Sequence, residues 1–429
     1  MNSAGFTFVD ISESYTTAPR SGATLGPTTS PILDLFAPEL LEDPYPTYAR
    51  LRANHTSRYV SPKGRELVVL SRYADVQLAL RDPRLGRARD AERLRTNLGN
   101  GSLSRSFADW MLFKDPPDHT RLRSLVTHAF TPRTVERLQH CIRQIVDQLL
   151  FTLRDQREFD LITGFAAPLP VLVICELLGV PTEDRHLLGN WSASLAAAMD
   201  RPSSPTAEIL DESNAAADGL TTYFRDLIKD RRTTPSDDLL SGLIAARYEG
   251  NRLSEDELLA TCVMLFFAGH ETTVNLIGNG VLALFRHPEQ LDLLRHGSVH
   301  FPQAVDELLR FDSPVQRTSR DVLVDVELAD GEVIPAGETV VLLIGAANRD
   351  THQFTNAERL DLSRSNAARH LSFGAGVHYC IGAPLARMEA QIAITQLLRG
   401  LPQLQLIEPV VNWRWTFVLR GLRALRMAG

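Results

Sequence analysis

Phe373-Gly374-Ala375-Gly376-Val377-His378-Tyr379-Cys380-Ile381-Gly382 runs directly into Pro384-Leu385-Ala386-Arg387-Met388-Glu389. Three glycines surround one cysteine, and a helical pattern begins just after it. Glycine tolerates positive φ and lets the backbone come close to a flat ligand. A cysteine ahead of a helix N-terminus feels the positive end of the dipole and free N–H groups, which lower its pKa from about 8.5. The resulting thiolate is a soft ligand suited to iron. A structural cysteine in a glycine-rich turn is the competing reading.

Working outward, the chain has 429 residues, with 44% hydrophobic and 23% charged residues, as in an ordinary globular protein. The length alone suggests about three domains. There are 45 Lys and Arg against 52 Asp and Glu, a net charge of −7. No global basic footprint for nucleic acid follows from that balance. No apolar run approaches the roughly 18 residues of a membrane span. The N-terminus has neither a cationic start nor an apolar core, so no secretory signal is read there. The four cysteines, Cys141, Cys175, Cys262 and Cys380, form no CxxC pair. That argues against a zinc knuckle or disulfide framework and points to a cytoplasmic location.

Residues 1–30, rich in Ser, Thr, Gly and Pro, read as a mobile tail. Residues 31–429 show no dividing linker. The pattern is mainly helical, with a hairpin over 58–70 around Pro62-Lys63-Gly64. A second β-rich block covers 322–344, and a β-like tail covers 413–425. Asp200 to Pro205 reads as a loop between lid helices. One helix stands out. Ser254-Glu255-Asp256-Glu257 is a capping box, and the helical pattern continues to about Phe285, with Pro288 just beyond. About 31 residues make a rod of roughly 46 Å. Its middle, Cys262–Gly269, is apolar all round and therefore buried. Glu271 sits at its centre, where a carboxylate must be paired or functional. His270-Glu271 does not begin a zinc-protease motif, because the second histidine would fall on Val274.

The Phe373–Gly382 string resembles the haem-binding signature of the cytochrome P-450 monooxygenases. The resemblance covers about residues 32–429. It implies a single-domain, mainly α fold with minor β structure, and it implies haem b with Cys380 as the metal ligand. Phe373, Gly374, His378 and Gly382 would border the haem. Glu307-Leu308-Leu309-Arg310 matches the family's Glu-x-x-Arg, in which the two side chains share a helix face. Arg359, in Asn356-Ala357-Glu358-Arg359-Leu360, would be the third partner of that ion pair. Ala268-Gly269-His270-Glu271-Thr272-Thr273 resembles the oxygen groove. There Ala268 and Gly269 would let O2 approach, and Glu271 with Thr272 would form the acid–alcohol pair that relays protons. His119, Arg123, Arg320 and His378 match propionate-binding positions, and His370 stands close to the same set.

By family position, Trp110, Leu112, Met264, Phe267, Val315, Phe417 and Val418 would line the pocket, suggesting a small apolar organic substrate. The resemblance is closest to soluble bacterial members that serve secondary metabolism. The implied reaction is hydroxylation or epoxidation with one atom of O2. No reductase fits in this length, so electrons would come from NAD(P)H through ferredoxin reductase and ferredoxin, without a membrane anchor. A monomer is expected. Arg121, Arg133, Arg369 and Arg387 would form a basic docking face for the ferredoxin. A peroxide-driven peroxygenase and a non-catalytic haem protein are the alternatives. The intact Glu271-Thr272 pair argues against both.

Overall fold

The computed structural model describes residues 38–429 apart from 54–56, 61–65, 89–90, 131, 200–204, 329–330, 409 and 415. The expected N-terminal tail, the Pro62-Lys63-Gly64 turn and the 200–204 part of the lid loop lie outside the described residues.

The central helix spans Glu255–Arg286, one residue longer at its end than the sequence pattern suggests. Its capping box is formed: the Glu257 N–H donates to Ser254 Oγ (3.2 Å), and the Ser254 N–H donates to the Glu257 carboxylate (2.9 Å). Two of the orphan donors of the first turn are thereby satisfied. The helix runs through the main apolar core, against Pro168–Leu178, Ala207–Thr233 and the C-terminal helix Ala383–Gly400. The expectation that residues 262–269 are buried on every side fails at one face. Cys262, Val263, Met264 and Phe266 are buried, whereas Phe267 and Gly269 are half-buried and Ala268 is exposed. Ala268 and Thr272 stand one helical turn apart, so they share the uncovered face.

The β structure is minor. The hairpin pairs Ser57–Val60 with Glu66–Leu70, and a five-stranded sheet continues through Thr339–Leu343, Arg317–Val322 and Leu85–Gly86. Pairing is antiparallel except between Glu66–Leu70 and Thr339–Leu343, which run parallel. The second block is therefore two strands of this sheet plus a small ribbon, Val326–Glu327 with Val333–Ile334. The C-terminal tail holds isolated bridges, Trp413 to Leu422 and Leu419 to Val315. Its strand comes later, at Arg426–Ala428, beside Glu158–Asp160 and Gln405–Leu406. Among the described residues, no helix is long and apolar enough to cross a membrane. The layers form one mainly helical unit with a small β side, not the three domains that length alone suggests.

A buried ion network sits under the site. Glu307 and Arg310, on the helix Phe301–Phe311, are fully buried. They pair in two places, at 2.7 and 2.8 Å. Arg310 also donates to the carbonyls of Asn348, Ala357 and Arg359. The third cation is Arg364, not Arg359: its Nε lies 3.1 and 3.2 Å from the two Glu307 oxygens. The Arg359 side chain is exposed, and the residue contributes its carbonyl instead, to both Arg310 and Arg364. Local backbone geometry explains the exchange. Asn356 takes the left-handed conformation (φ 52°), and the turn that follows directs the Arg359 carbonyl inward. Removing one member of a buried pair strands a charge and typically costs about 3–5 kcal/mol. Arg364→Ala should therefore lower unfolding stability by about 3 kcal/mol in urea titrations, and Arg359→Ala by less than about 0.5 kcal/mol.

Candidate functional site

The helix Phe301–Phe311 also places the segment leading to the cysteine. The Ser372 hydroxyl donates to the Leu309 carbonyl (2.7 Å), and Asn348 bonds both the Leu371 N–H and Ser372. His370 faces Asp306 at 3.2 Å and is fully buried, so it braces this segment and does not join the propionate set. Arg387 reaches the same Asp306 (2.7 Å) while its guanidinium lies over Phe373. Asn348, Ser372 and Asp306 carry no motif signal and were not read from the sequence.

The loop itself is held by backbone. Its Cys380 N–H donates to the Phe373 carbonyl at 2.9 Å. Gly374 and Gly376 are left-handed, with φ 71° and 68°. A Cβ at Gly376 would meet the Leu80 carbonyl at 2.7 Å, so both conformation and space require glycine there. The C-terminal helix starts at Ala383 with Gly382 as its N-cap.

Sequence reasoning expected a depressed Cys380 pKa. The structure reverses the direction. Burial raises it, and it outweighs the Gly382 and Ala383 N–H groups and the Arg123 and Arg387 charges that act the other way. Stabilising a thiolate in this dry position takes a further positive charge, as a bound metal provides.

Facing the loop are the expected cations. His119 and Arg123 lie on the helix Asp118–Ala129, and Arg320 lies on the strand Arg317–Val322. The rings of His119 and His378 are 4.1 Å apart. His119 Nδ1 and His378 Nε2 are buried without a hydrogen-bond partner. Burial lowers His119 to about 4, and burial with neighbouring guanidinium groups lowers His378 to about 2. Arg320 is buried, its pKa is lowered to about 10 by burial, and its bond is to a backbone carbonyl. Arg123 donates to the Tyr379 carbonyl at 2.6 Å. Two imidazoles and two guanidinium groups thus converge beside the cysteine, with the Asp115 carboxylate 4.0 Å from His378 Nε2. Buried polar atoms lacking partners are rare enough to need an explanation, and an anionic ligand supplies one.

Opposite, Thr272 donates to the Ala268 carbonyl at a long 3.4 Å. Gly269 approaches Ile174 so closely that a Cβ would lie 3.2 Å from it. Glu271 and Thr272 are not directly hydrogen-bonded to each other. Successive helix residues point about 100° apart, and Glu271 turns instead to Arg414 (2.8 Å), with His270 at 3.7 Å. Burial raises its pKa, but Arg414 and His270 together prevail and hold it at about 2. Arg414 was missed because it lies 143 positions away.

Of the expected pocket residues, Trp110 is wholly buried among Phe107, Phe113 and Phe267, and Met264 is core as well. Leu112, Phe267, Val315, Phe417 and Val418 keep partial exposure. On the presumed docking face, Arg121 is committed to Glu257 and Arg387 to Asp306, while Arg369 is exposed. The Arg133 side chain lies outside the described residues.

Comparison with known proteins agrees with this geometry. The cytochrome P450 family model matches residues 190–298 and 301–402. The vitamin D(3) 25-hydroxylase of Pseudonocardia autotrophica is 42% identical, over 91% of this chain and 94% of its own. The cytochrome P450 monooxygenase PikC of Streptomyces venezuelae is 40% identical, over 95% of each. A crystal structure of P450BioI with an acyl-carrier-protein-linked hexadecenoic acid superposes with a TM-score of 0.83 at 39% identity, covering 91% of this chain and 99% of that one. The chain belongs to the cytochrome P450 family, and it is an oxidoreductase of the monooxygenase class.

That family uses haem and O2. The residues present fit the group: a lone cysteine in a glycine cradle on one side, and orphaned imidazole nitrogens with the buried Arg320 and the half-buried Arg123 for its two carboxylates.

The Glu271–Arg414 pair has a pH signature. A carboxyl held at about 2 in the fold, against an ordinary value of 4.5, contributes stability above about pH 4.5 that is lost as pH falls toward 2. Arg414→Gln should remove that contribution and raise the pH at which acid unfolding sets in, measured by circular dichroism. Glu271→Gln/Arg414→Gln should restore much of the loss, because no stranded charge remains.

Proposed function

We propose that this chain is a haem-thiolate monooxygenase that inserts one atom of O2 into a small apolar organic substrate by hydroxylation or epoxidation, in secondary metabolism. The observation that carries the reading is the convergence of His119, Arg123, Arg320 and His378, two of them with orphaned nitrogens, beside Cys380. Cys380 would ligate the iron, Arg123 and Arg320 would neutralise the two propionates, and His119 and His378 would donate hydrogen bonds to them. Phe373, Gly374 and Gly382 would border the ring on the thiolate side, with Ala268 and Gly269 on the other.

When bound, the haem supplies reductive activation of O2, a reaction that takes two electrons and two protons, puts one oxygen atom into substrate and leaves the other as water. The chain's own residues bind, orient and feed that centre. Arg387 beside Cys380 favours the thiolate, and the backbone N–H groups of Gly382 and Ala383 stabilise it further. Ala268, on the uncovered helix face, leaves room next to Thr272. The Thr272 hydroxyl, held only by its long bond to Ala268, is placed to pass protons inward, with Glu271 as the nearest acid in the chain. Phe267, Val315, Phe417 and Val418 offer an apolar wall that would exclude water from the reacting carbon. The hydroxylase and monooxygenase names of the relatives support this substrate class. Electrons would arrive from NAD(P)H by way of ferredoxin reductase and ferredoxin, docked near Arg369 on the cysteine side. The protein would act as a cytoplasmic monomer.

The test is turnover. With NADPH, plant ferredoxin and its reductase, the purified protein should oxidise an apolar compound that shifts its Soret band. Oxidation with hydrogen peroxide alone, and never with the electron chain, would make it a peroxygenase. Cys380→Ser should abolish the thiolate-type Soret band of the reduced carbon monoxide complex. Persistence of that band would refute Cys380 as ligand. His119→Phe with His378→Phe should lower haem retention on a desalting column by at least about tenfold, because two charge-assisted contacts of about 1 kcal/mol or more are lost.

A further inference from the structure

Four distant parts of the chain meet on one residue. Arg420 is buried, and its Nε donates to the carboxylate of Asp312, at the end of the helix Phe301–Phe311 (3.0 Å). Its two terminal nitrogens donate to the Leu41 and Glu42 carbonyls, the second at 3.0 Å, where the helix Pro38–Glu42 ends. The guanidinium lies 3.4 Å over the Trp413 ring. The backbone of the same residue is held too. Its carbonyl accepts from Asn279 of the central helix (3.0 Å), and its N–H donates to the Pro314 carbonyl (2.8 Å). Asp312 is gripped in turn by the Tyr45 hydroxyl (2.7 Å).

Burying a guanidinium is costly unless its donors are used, and here all three nitrogens have acceptors. Charge-assisted bonds of this kind are short and directional, so Arg420 is a fixed point. The expected pocket wall is built on it. Leu419 bridges to Val315, and the Gln316 N–H donates to the Val418 carbonyl (2.8 Å). Thr416 Oγ1 closes the turn by donating to the Leu419 carbonyl (2.7 Å). Val315 and Val418 therefore sit on the two arms of a clip. One arm starts at Asp312 and the other ends at Arg420, and the ion pair joins them. Phe417 packs onto the cluster that holds Leu40 and Tyr45, which ties the clip to the N-terminal helices a second time.

We infer that Arg420 is a positioning residue for the substrate: by holding Asp312 and the end of the helix Pro38–Glu42, it sets how far Val315 and Val418 stand into the pocket, and so which part of an apolar molecule lies at the reacting centre. The inference rests on the monooxygenase reading, which makes these two side chains pocket wall. The physical need is plain. Hydrophobic and dispersion contacts have no preferred direction, and an apolar molecule offers no hydrogen bond by which to orient it. The shape of the wall must orient it instead, and a displacement of about 1 Å in a positioning element can cost about a hundredfold in rate. A wall of aliphatic side chains keeps no such tolerance unaided, so it needs a rigid anchor behind it.

Two iron ligands of different size test this. Imidazole is too small to need the wall, whereas 4-phenylimidazole carries a ring into the pocket. Both are titrated into the haem-loaded protein and followed by the shift of the Soret band. The readout is the ratio of their dissociation constants, which a general loss of stability would not move. Val418→Ala calibrates the wall itself. Arg420→Gln should change the ratio by at least about fivefold, with imidazole alone within about twofold of wild type. Tyr45→Phe, which removes only the hydroxyl that holds Asp312, should shift the ratio in the same sense by about twofold, and it decides the matter if Arg420→Gln does not fold. Arg420→Gln/Val418→Ala should differ little from Arg420→Gln, because a displaced wall has no contact left for Val418 to lose.

A ratio that moves in Val418→Ala but in neither Arg420→Gln nor Tyr45→Phe overturns the inference. So do additive effects in the double variant, since Arg420 would then reach the pocket by a route other than this wall. Failure of the underlying reading looks different: Val418→Ala itself would leave the ratio unmoved, and wall and anchor would fall together.

Discussion

The fully buried Glu307 is the charge around which the cysteine side of the molecule is organised. A lone carboxylate in that position would be prohibitively costly, so it must be surrounded, and two guanidinium groups do this, Arg310 through two nitrogens and Arg364 through its Nε to both oxygens. Their remaining N–H groups need acceptors in turn. Those acceptors are backbone carbonyls of Asn348, Thr355, Asn356, Ala357 and Arg359. One buried charge thereby dictates the path of an otherwise irregular segment. That segment ends at Leu371, held by the Asn348 side chain, and at Ser372, bonded to the Leu309 carbonyl of the Glu307 helix, just before the Cys380 loop begins. The position of the sulfur is an outcome of electrostatic satisfaction some distance from it.

The other side of the site follows the opposite rule. Around Cys380 the buried polar groups are left unsatisfied. Two imidazoles are kept neutral by burial, and burial of Arg320 outweighs the one carboxylate that acts on it, Asp115. A protein that tolerates such groups accepts a cost in the empty fold that an anionic ligand removes. The two halves divide the work: one network is saturated and rigid, and the other is unsaturated and receptive.

Much of this was legible in the sequence because it was written locally. The glycine–cysteine string, the capping box at Ser254 and the i, i+3 spacing of Glu307 and Arg310 each express a short-range geometry that survives folding unchanged. The errors have a common cause. Arg359 was expected as the third partner from the resemblance of its segment, and the left-handed turn at Asn356, a feature of the folded backbone, leaves Arg364 to reach Glu307 instead. The ion pair of Glu271 with Arg414 was missed, because the partner lies 143 positions away and no local pattern announces it. The Cys380 thiol was expected to be acidified by the helix end, a local effect, and the burial that outweighs it is a property of the whole fold. Ala268 was expected in the core because its neighbours are apolar, and the uncovered face exists only because the surrounding elements leave it open.

The close approach of Gly376 to the Leu80 carbonyl and the Arg81 Cα joins two backbones. The helix Tyr73–Arg81 also packs Tyr73, Val76, Ala79 and Leu80 into the same core as Leu371 and Ala375, so its exposed positions can change while its axis keeps its distance. What descendants of this sequence must inherit at that point is a separation between two chains, guarded by the absence of a single methyl group.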